Sequence, residues 1–126
     1  VPNATFIASP SFEIKRKLLQ EAQALLITSL AEETSSLVAM EAAASGTPVI
    51  AFSRGALPNV VKDGVTGFLA DDLSGAVEAC SRIGSISHAA CRVYAQENFS
   101  SAKMADGYTL LYGRILQGAT ELAIGA

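Results

Sequence analysis

The chain has 126 residues, half of them apolar, with five Phe, three Tyr, no Trp and a net charge of −3 at pH 7. That length makes one domain or part of one, able to bury roughly two thirds of its unfolded surface. The slightly acidic balance argues against a basic nucleic-acid footprint or an electrostatic membrane patch, and no apolar run approaches the roughly 20 residues of a membrane span.

In chain order, TFIA at Thr5 to Ala8 predicts a short strand. Ser11 can cap a helix running to about Ala24, with Phe12, Leu18, Leu19 and Ala22 facing inward. ALLIT, from Ala24 to Thr28, is a continuous apolar run of the buried parallel-strand type. Ser36 to Ser45 reads as a helix, and Gly46 takes the left-handed position after its end. VIAF, from Val49 to Phe52, forms the next strand, Leu57 to Val61 a helical turn opened by Pro58, and Phe68 to Ala70 a last strand after the turn-rich KDGVTG. Helices follow at about Leu73 to Ile83, Ser87 to Glu97 and Ser100 to Gln117. The last carries Met104, Tyr108, Leu111, Tyr112 and Ile115 at helical spacing, which predicts an inward stripe. Strands alternating with helices through short connections predict an α/β fold, a Rossmann-like parallel sheet with helices closing its C-terminal end.

The opening VPNATFIASPS lacks the basic start and long apolar centre of a signal peptide. Cys80 and Cys91 have no metal-ligand spacing and read as buried reduced thiols, which suggests a reducing, cytoplasmic compartment. The chain starts at Val1 rather than Met and enters at once on an apolar segment, so the expectation is a piece of something longer.

The chemistry concentrates in EETSSLVAMEAAASGTPVIAF, from Glu32 to Phe52. In doubly wound sheets, ligands bind beyond the carboxyl ends of strands, where loops lead into helix N-termini. Ser29 to Ser35 is such a loop. The free amides of Ser36, Leu37 and Val38, with the positive end of the helix dipole, suit a phosphate, and the hydroxyls of Thr34, Ser35 and Ser36 add neutral donors. Glu33 lies just before this nest and Glu41 one and a half turns into the helix. A carboxylate only accepts hydrogen bonds, and two vicinal sugar hydroxyls can donate to its two oxygens. A phosphate nest flanked by two carboxylates outlines a nucleotide sugar. On composition and spacing alone a plainer reading stands beside it: Glu33 as a solvated acidic group near a helix N-terminus, and Glu41 pointing out between alanines.

The segment from Glu32 to Leu69 resembles the signature region of the group 1 glycosyl transferases, the retaining family GT4. That family has a Glu, seven residues and a second Glu, then Ala-x-Ala-x-Gly-x-Pro-Val, a Gly-rich turn, a Pro-led helical turn and Asp-Gly-x-x-Gly. Here these are Glu33, Glu41, Ala42, Ala44, Gly46, Pro48, Val49, Gly55, Pro58, Asp63, Gly64 and Gly67. NFSSAKMADGYTLLYGRIL is similar to the family's closing helix. The resemblance implies a nucleoside-diphosphate-sugar donor, with Glu33 contacting donor-sugar hydroxyls and acting at the breaking anomeric bond. It further implies that Glu41 binds the ribose and that Ser35, Ser36, Leu37 and Val38 meet the diphosphate, with no bound metal and no cofactor. This chain departs from the family at Ser35-Ser36, where Phe-Gly is common, and at Asn59, where an acidic residue is common.

The resemblance further implies a GT-B arrangement of two facing domains, of which residues 1–126 match only the later part of the C-terminal, nucleotide-sugar-binding one. The N-terminal acceptor domain of the same protein and the first two strand–helix units of the donor domain are expected outside this stretch. With them would come the Arg and Lys that neutralise the diphosphate, whose positions Arg16, Lys17 and Arg54 do not match. In such a sheet TFIA and ALLIT are not neighbours. TFIA is therefore expected to be displaced, to pair directly with a neighbouring strand, or to complete a sheet in another copy, since unpaired edges invite self-association.

Other candidates read as non-catalytic. His88, the only histidine, sits at a helix start and reads as a surface residue, and Asp71-Asp72 caps the following helix. No Walker loop or G-x-G-x-x-G is present. The leading expectation is a nucleotide-sugar-dependent retaining glycosyltransferase, represented by a donor-domain fragment inactive alone. A non-catalytic nucleotide-sugar-binding or structural module of the same fold stands as the alternative, and a sugar-nucleotide epimerase as a third.

Overall fold

The computed structural model describes the backbone of residues 2–124 and the side chains of residues 2–118. Its regular elements are α1 (Phe12–Glu21), β1 (Leu25–Ile27), α2 (Leu37–Ser45), β2 (Val49–Phe52), α3 (Leu57–Val60), β3 (Gly67–Ala70), α4 (Leu73–Arg82), a 3-10 turn (Ile83–Ser85), α5 (His88–Phe99) and α6 (Ser101–Ile124). The three strands form one parallel sheet in the order β1-β2-β3, with Leu25 opposite Val49 and Val49 opposite Gly67. Strand–helix alternation thus gives the expected α/β, Rossmann-like arrangement.

The central strand β2 is buried on both faces, which is why it reads as an unbroken apolar run. Side chains alternate across a strand, so Val49 and Ala51 enter one core with Leu19, Ile27, Ala39, Ala42, Leu57 and Val60. Ile50 and Phe52 enter the other with Phe68, Ala70, Ala76, Ala79, Ile86 and Cys91. The small side chains of α2 carry the first layer: Ala39, Ala42 and Ala43 are buried, letting the helix lie close to the strands.

Local chemistry sets the boundaries. Ser11 accepts from the Ile14 amide, Asp72 from Gly75 and Ser87 from Ala90, so α1, α4 and α5 each start at a side-chain cap. Gly46 ends α2 at φ 88°, and its amide bonds back to Ala42 and Ala43. Beyond it the buried Thr47 hydroxyl donates to the Leu19 carbonyl, tying the end of α1 to the start of β2. His88 is exposed, as expected, yet its Nδ1 sits 2.8 Å from the Gly46 carbonyl and Arg92 reaches the Ser45 carbonyl, so α5 grips the last turn of α2.

Four expectations need correcting. Thr5 to Ala8 forms no strand; Phe6 is 92% exposed and the segment stands outside the sheet, which corresponds to the displaced alternative. An apolar run becomes a strand only beside a partner for its amides and carbonyls, and neither β1 nor β3 pairs with it. In α1 only Leu19 is buried, whereas Phe12 and Leu18 are exposed. The α6 stripe of Met104, Tyr108, Leu111, Tyr112 and Ile115 is likewise exposed, because α6 packs chiefly on α5. Spacing shows which face is apolar, not what covers it. Finally, Cys91 is buried but Cys80 is exposed, and both are free thiols. Burial pushes the Cys91 thiol above the ordinary range.

Candidate functional site: the opening of helix α2

The segment between β1 and α2 leaves the carboxyl end of the sheet and enters the helix through an unusual cap. Ser36 is the N-cap, at φ 50° and ψ 68°, with no side-chain bond to the helix. This left-handed geometry suits glycine and costs other residues roughly 1–2 kcal/mol. Glycine, which the resemblance implies at this place, would take the turn without strain; this chain takes it with a serine. The amides of Ala39 and Met40 both go to the Ser36 carbonyl. Those of Leu37 and Val38 come before these first intrahelical donors and belong to the helix's unsatisfied opening.

Ser36 is only 6% exposed, and its hydroxyl is buried with no hydrogen-bond partner. An unpaired buried hydroxyl costs about 1–3 kcal/mol. Thr34, Ser35, Leu37 and Val38 around it are exposed.

Glu33 is held through its backbone. Its carbonyl accepts the Ala56 amide at 2.7 Å, and Gly55, at φ 53°, passes so close that an added Cβ would lie 2.3 Å from the Glu33 oxygen. The β2–α3 turn thereby fastens the loop in front of α2, and glycine at position 55 is what allows the approach. Arg54 is an exposed residue of that turn.

Glu41 stands one turn beyond Leu37, half-buried between two cavities. One, of about 280 Å³, lies against α1 and is lined by Phe12, Lys15 and Leu19 among others. The other, of about 510 Å³, lies against α5 and shares Leu37 and Met40 with the helix opening. Glu33 lines neither. The Oε1 of Glu41 accepts from Lys15 Nζ at 2.8 Å. Sequence reasoning weighed Arg16, Lys17 and Arg54 as cations and missed Lys15. The signal was there: Lys15 precedes the buried Leu19 by four residues and so shares its helix face.

A parallel sheet whose strand end opens through a left-handed cap into a helix N-terminus defines an α/β protein of the Rossmann-like class. Comparison with known proteins takes this further. The family model of the group 1 glycosyl transferases matches residues 3–85, and the chain belongs to that family. Among relatives, the D-inositol 3-phosphate glycosyltransferase of Mycobacterium sp. (strain KMS) is 43% identical over 67 residues, 53% of this chain and 15% of the relative. The protein of the same name from Streptomyces griseus is 35% identical over 100 residues, 70% of this chain and 21% of the relative. An uncharacterized 41.2 kDa protein in the cps region of Klebsiella pneumoniae is 35% identical over 86 residues, 64% of this chain and 24% of that protein. The chain thus matches between a seventh and a quarter of the length of these relatives. Among the described residues, no helix is long and apolar enough to cross a membrane.

Proposed function

We propose that the protein transfers a sugar from a nucleoside-diphosphate sugar to an acceptor with retention of anomeric configuration, and that residues 1–126 form the later part of its donor-binding domain. The observation that carries this reading is the buried Ser36 hydroxyl without a partner at the opening of α2. It lies beside the Leu37 and Val38 amides, and a helix opening of such free amides takes an anion. The diphosphate accepts from these three groups, while the outer hydroxyls of Thr34 and Ser35 are in reach of its exposed side. Glu41 accepts from the ribose. Glu33, in the fastened loop, accepts from donor-sugar hydroxyls and faces the positive charge that develops as the anomeric bond breaks. Catalysis is then positioning plus electrostatic help to the departing diphosphate.

The names of the relatives support glycosyl transfer; on this reading the chain belongs to the donor part, and the acceptor is chosen elsewhere. The acceptor side belongs to an N-terminal domain of the same protein, and this stretch by itself binds without turnover. The position of β1 at the end of the sheet, paired only with β2, supports further strand pairing there, with that protein's own preceding units or with a second copy.

The test is a transfer assay on the full-length protein with UDP-, GDP- and ADP-sugars, reading the anomeric configuration of the product by NMR. Transfer with retention is expected from one of these donors, and Glu41→Ala should bind the corresponding diphosphate at least tenfold more weakly. Product of inverted configuration, or equal diphosphate affinity in Glu41→Ala, would remove the respective assignment.

A further inference from the structure

Lys15 is the residue of the described site that neither the sequence motifs nor the family resemblance singles out. Its ammonium is fixed twice. It lies 2.8 Å from Glu41 Oε1 and 5.7 Å from the centre of the Phe12 ring. The two partners of the ion pair come from different helices, 26 residues apart, and each remains 39–40% exposed on the wall of the same cavity. An ordinary surface pair is worth little, about 0–1 kcal/mol. This one differs in where it points: both heads line a cavity of about 280 Å³ and retain hydrogen-bonding capacity there.

The capacity can be counted. An ammonium has three donors and no acceptor, and an ionised carboxylate only accepts. One donor goes to Oε1; two donors and the whole of Oε2 are left. A hydroxyl is the group that satisfies such a pair at once, since it donates to Oε2 and accepts from Nζ. Glu41 also borders the second cavity, against α5. The bond to Lys15 draws its carboxylate toward the α1 side, and so decides which cavity the sugar enters.

We propose that Lys15 and Glu41 act as one unit that reads a ribose hydroxyl in the cavity between α1 and α2, with Lys15 both positioning the carboxylate and donating to the sugar. This rests on the reading of Glu41 as the ribose acceptor. The pair also leaves the ribose end of the site without the net negative charge that would oppose a diphosphate at the opening of the same helix.

The experiment uses the full-length protein and calorimetric titration with UDP, GDP and ADP and with their 2′-deoxy and 3′-deoxy counterparts. Lys15→Met should weaken the preferred ribonucleotide about fivefold, the size of one exposed charged contact. It should also flatten the preference over the deoxy counterpart. Lys15→Arg should restore both. Lys17→Met, which removes the exposed Lys17–Glu21 pair on the same helix, should change neither. A merely structural Lys15 would shift the thermal midpoint and leave the ribose preference intact, and that result overturns the proposal. Should Glu41→Ala lose affinity while Lys15→Met binds and discriminates as wild type, Lys15 has no part in recognition although the donor-site reading survives. Should Glu41→Ala bind as wild type, the ribose reading fails beneath it.

Discussion

Ser36 provides a test in which stability and binding move in opposite directions. Two costs are built into it: a left-handed backbone, roughly 1–2 kcal/mol for a residue with a Cβ, and a buried hydroxyl without a partner, about 1–3 kcal/mol. Ser36→Ala removes the second cost only, so the free protein should gain about 1 kcal/mol or more. Ser36→Gly removes both, less about 0.5–1 kcal/mol for the extra freedom of glycine in the unfolded chain, and should gain about as much again. By the usual size scaling, each kcal/mol raises the melting midpoint by roughly 2–4 °C. If the hydroxyl donates to a diphosphate, the same substitutions forfeit a hydrogen bond to a charged group, about 1.5–3 kcal/mol, or on the order of tenfold to a hundredfold in affinity. Calorimetric melting and diphosphate titration of wild type, Ser36→Ala and Ser36→Gly read the two effects separately. Variants that are more stable but bind weakly would match the reasoning. A Ser36→Ala protein that melts lower than wild type and binds diphosphate equally well would refute it, because the hydroxyl would then be serving the fold.

Replacing Glu33 by Ala should lower kcat by about a hundredfold or more while leaving diphosphate affinity within about threefold; full activity would reject its role at the anomeric carbon. Gly55→Ala places a Cβ 2.3 Å from the Glu33 oxygen at a φ of 53°. It should cost about 1–3 kcal/mol, detectable by urea denaturation, and reduce turnover by shifting the loop that carries Glu33. For the cysteines, a thiol reagent should modify the exposed Cys80 at once and Cys91 only on unfolding. The folded-state pKa of Cys91 lies above its unfolded value. The unfolded chain therefore releases this proton first, and stability should fall as pH rises past about 9. A Cys91→Ala variant should lack that part of the alkaline loss, and an unchanged pH profile would show that Cys91 is not its source.

The parts of the fold that were legible in the sequence are those set by neighbours along the chain. The run from Val49 to Phe52, the glycine after α2 and the aspartate cap at Asp72 each follow from chemistry within a few residues. The opening of α2 was legible for the same reason, as a loop, small hydroxyl residues and a helix in sequence. Tertiary matters were not. TFIA has the composition of a strand, but a strand is a property of two segments. The stripes on α1 and α6 mark apolar faces, and the burial of Phe12, Leu18 and Tyr108 depends on what lies opposite. Ser36 reads as an ordinary helical residue until its φ is seen. The Lys15–Glu41 pair joins positions 26 apart across two helices, beyond any local pattern.

The grip of α5 on the last turn of α2, through His88 at Gly46 and Arg92 at Ser45, fixes the far end of that helix. Nine residues give it a length of about 13 Å. A tilt of only about 5° about that end would swing the amides of Leu37 and Val38 by about 1 Å, which on the donor-binding role proposed for this opening is enough to lower turnover. Carbonyls gripped at the back of the helix thus aim its front.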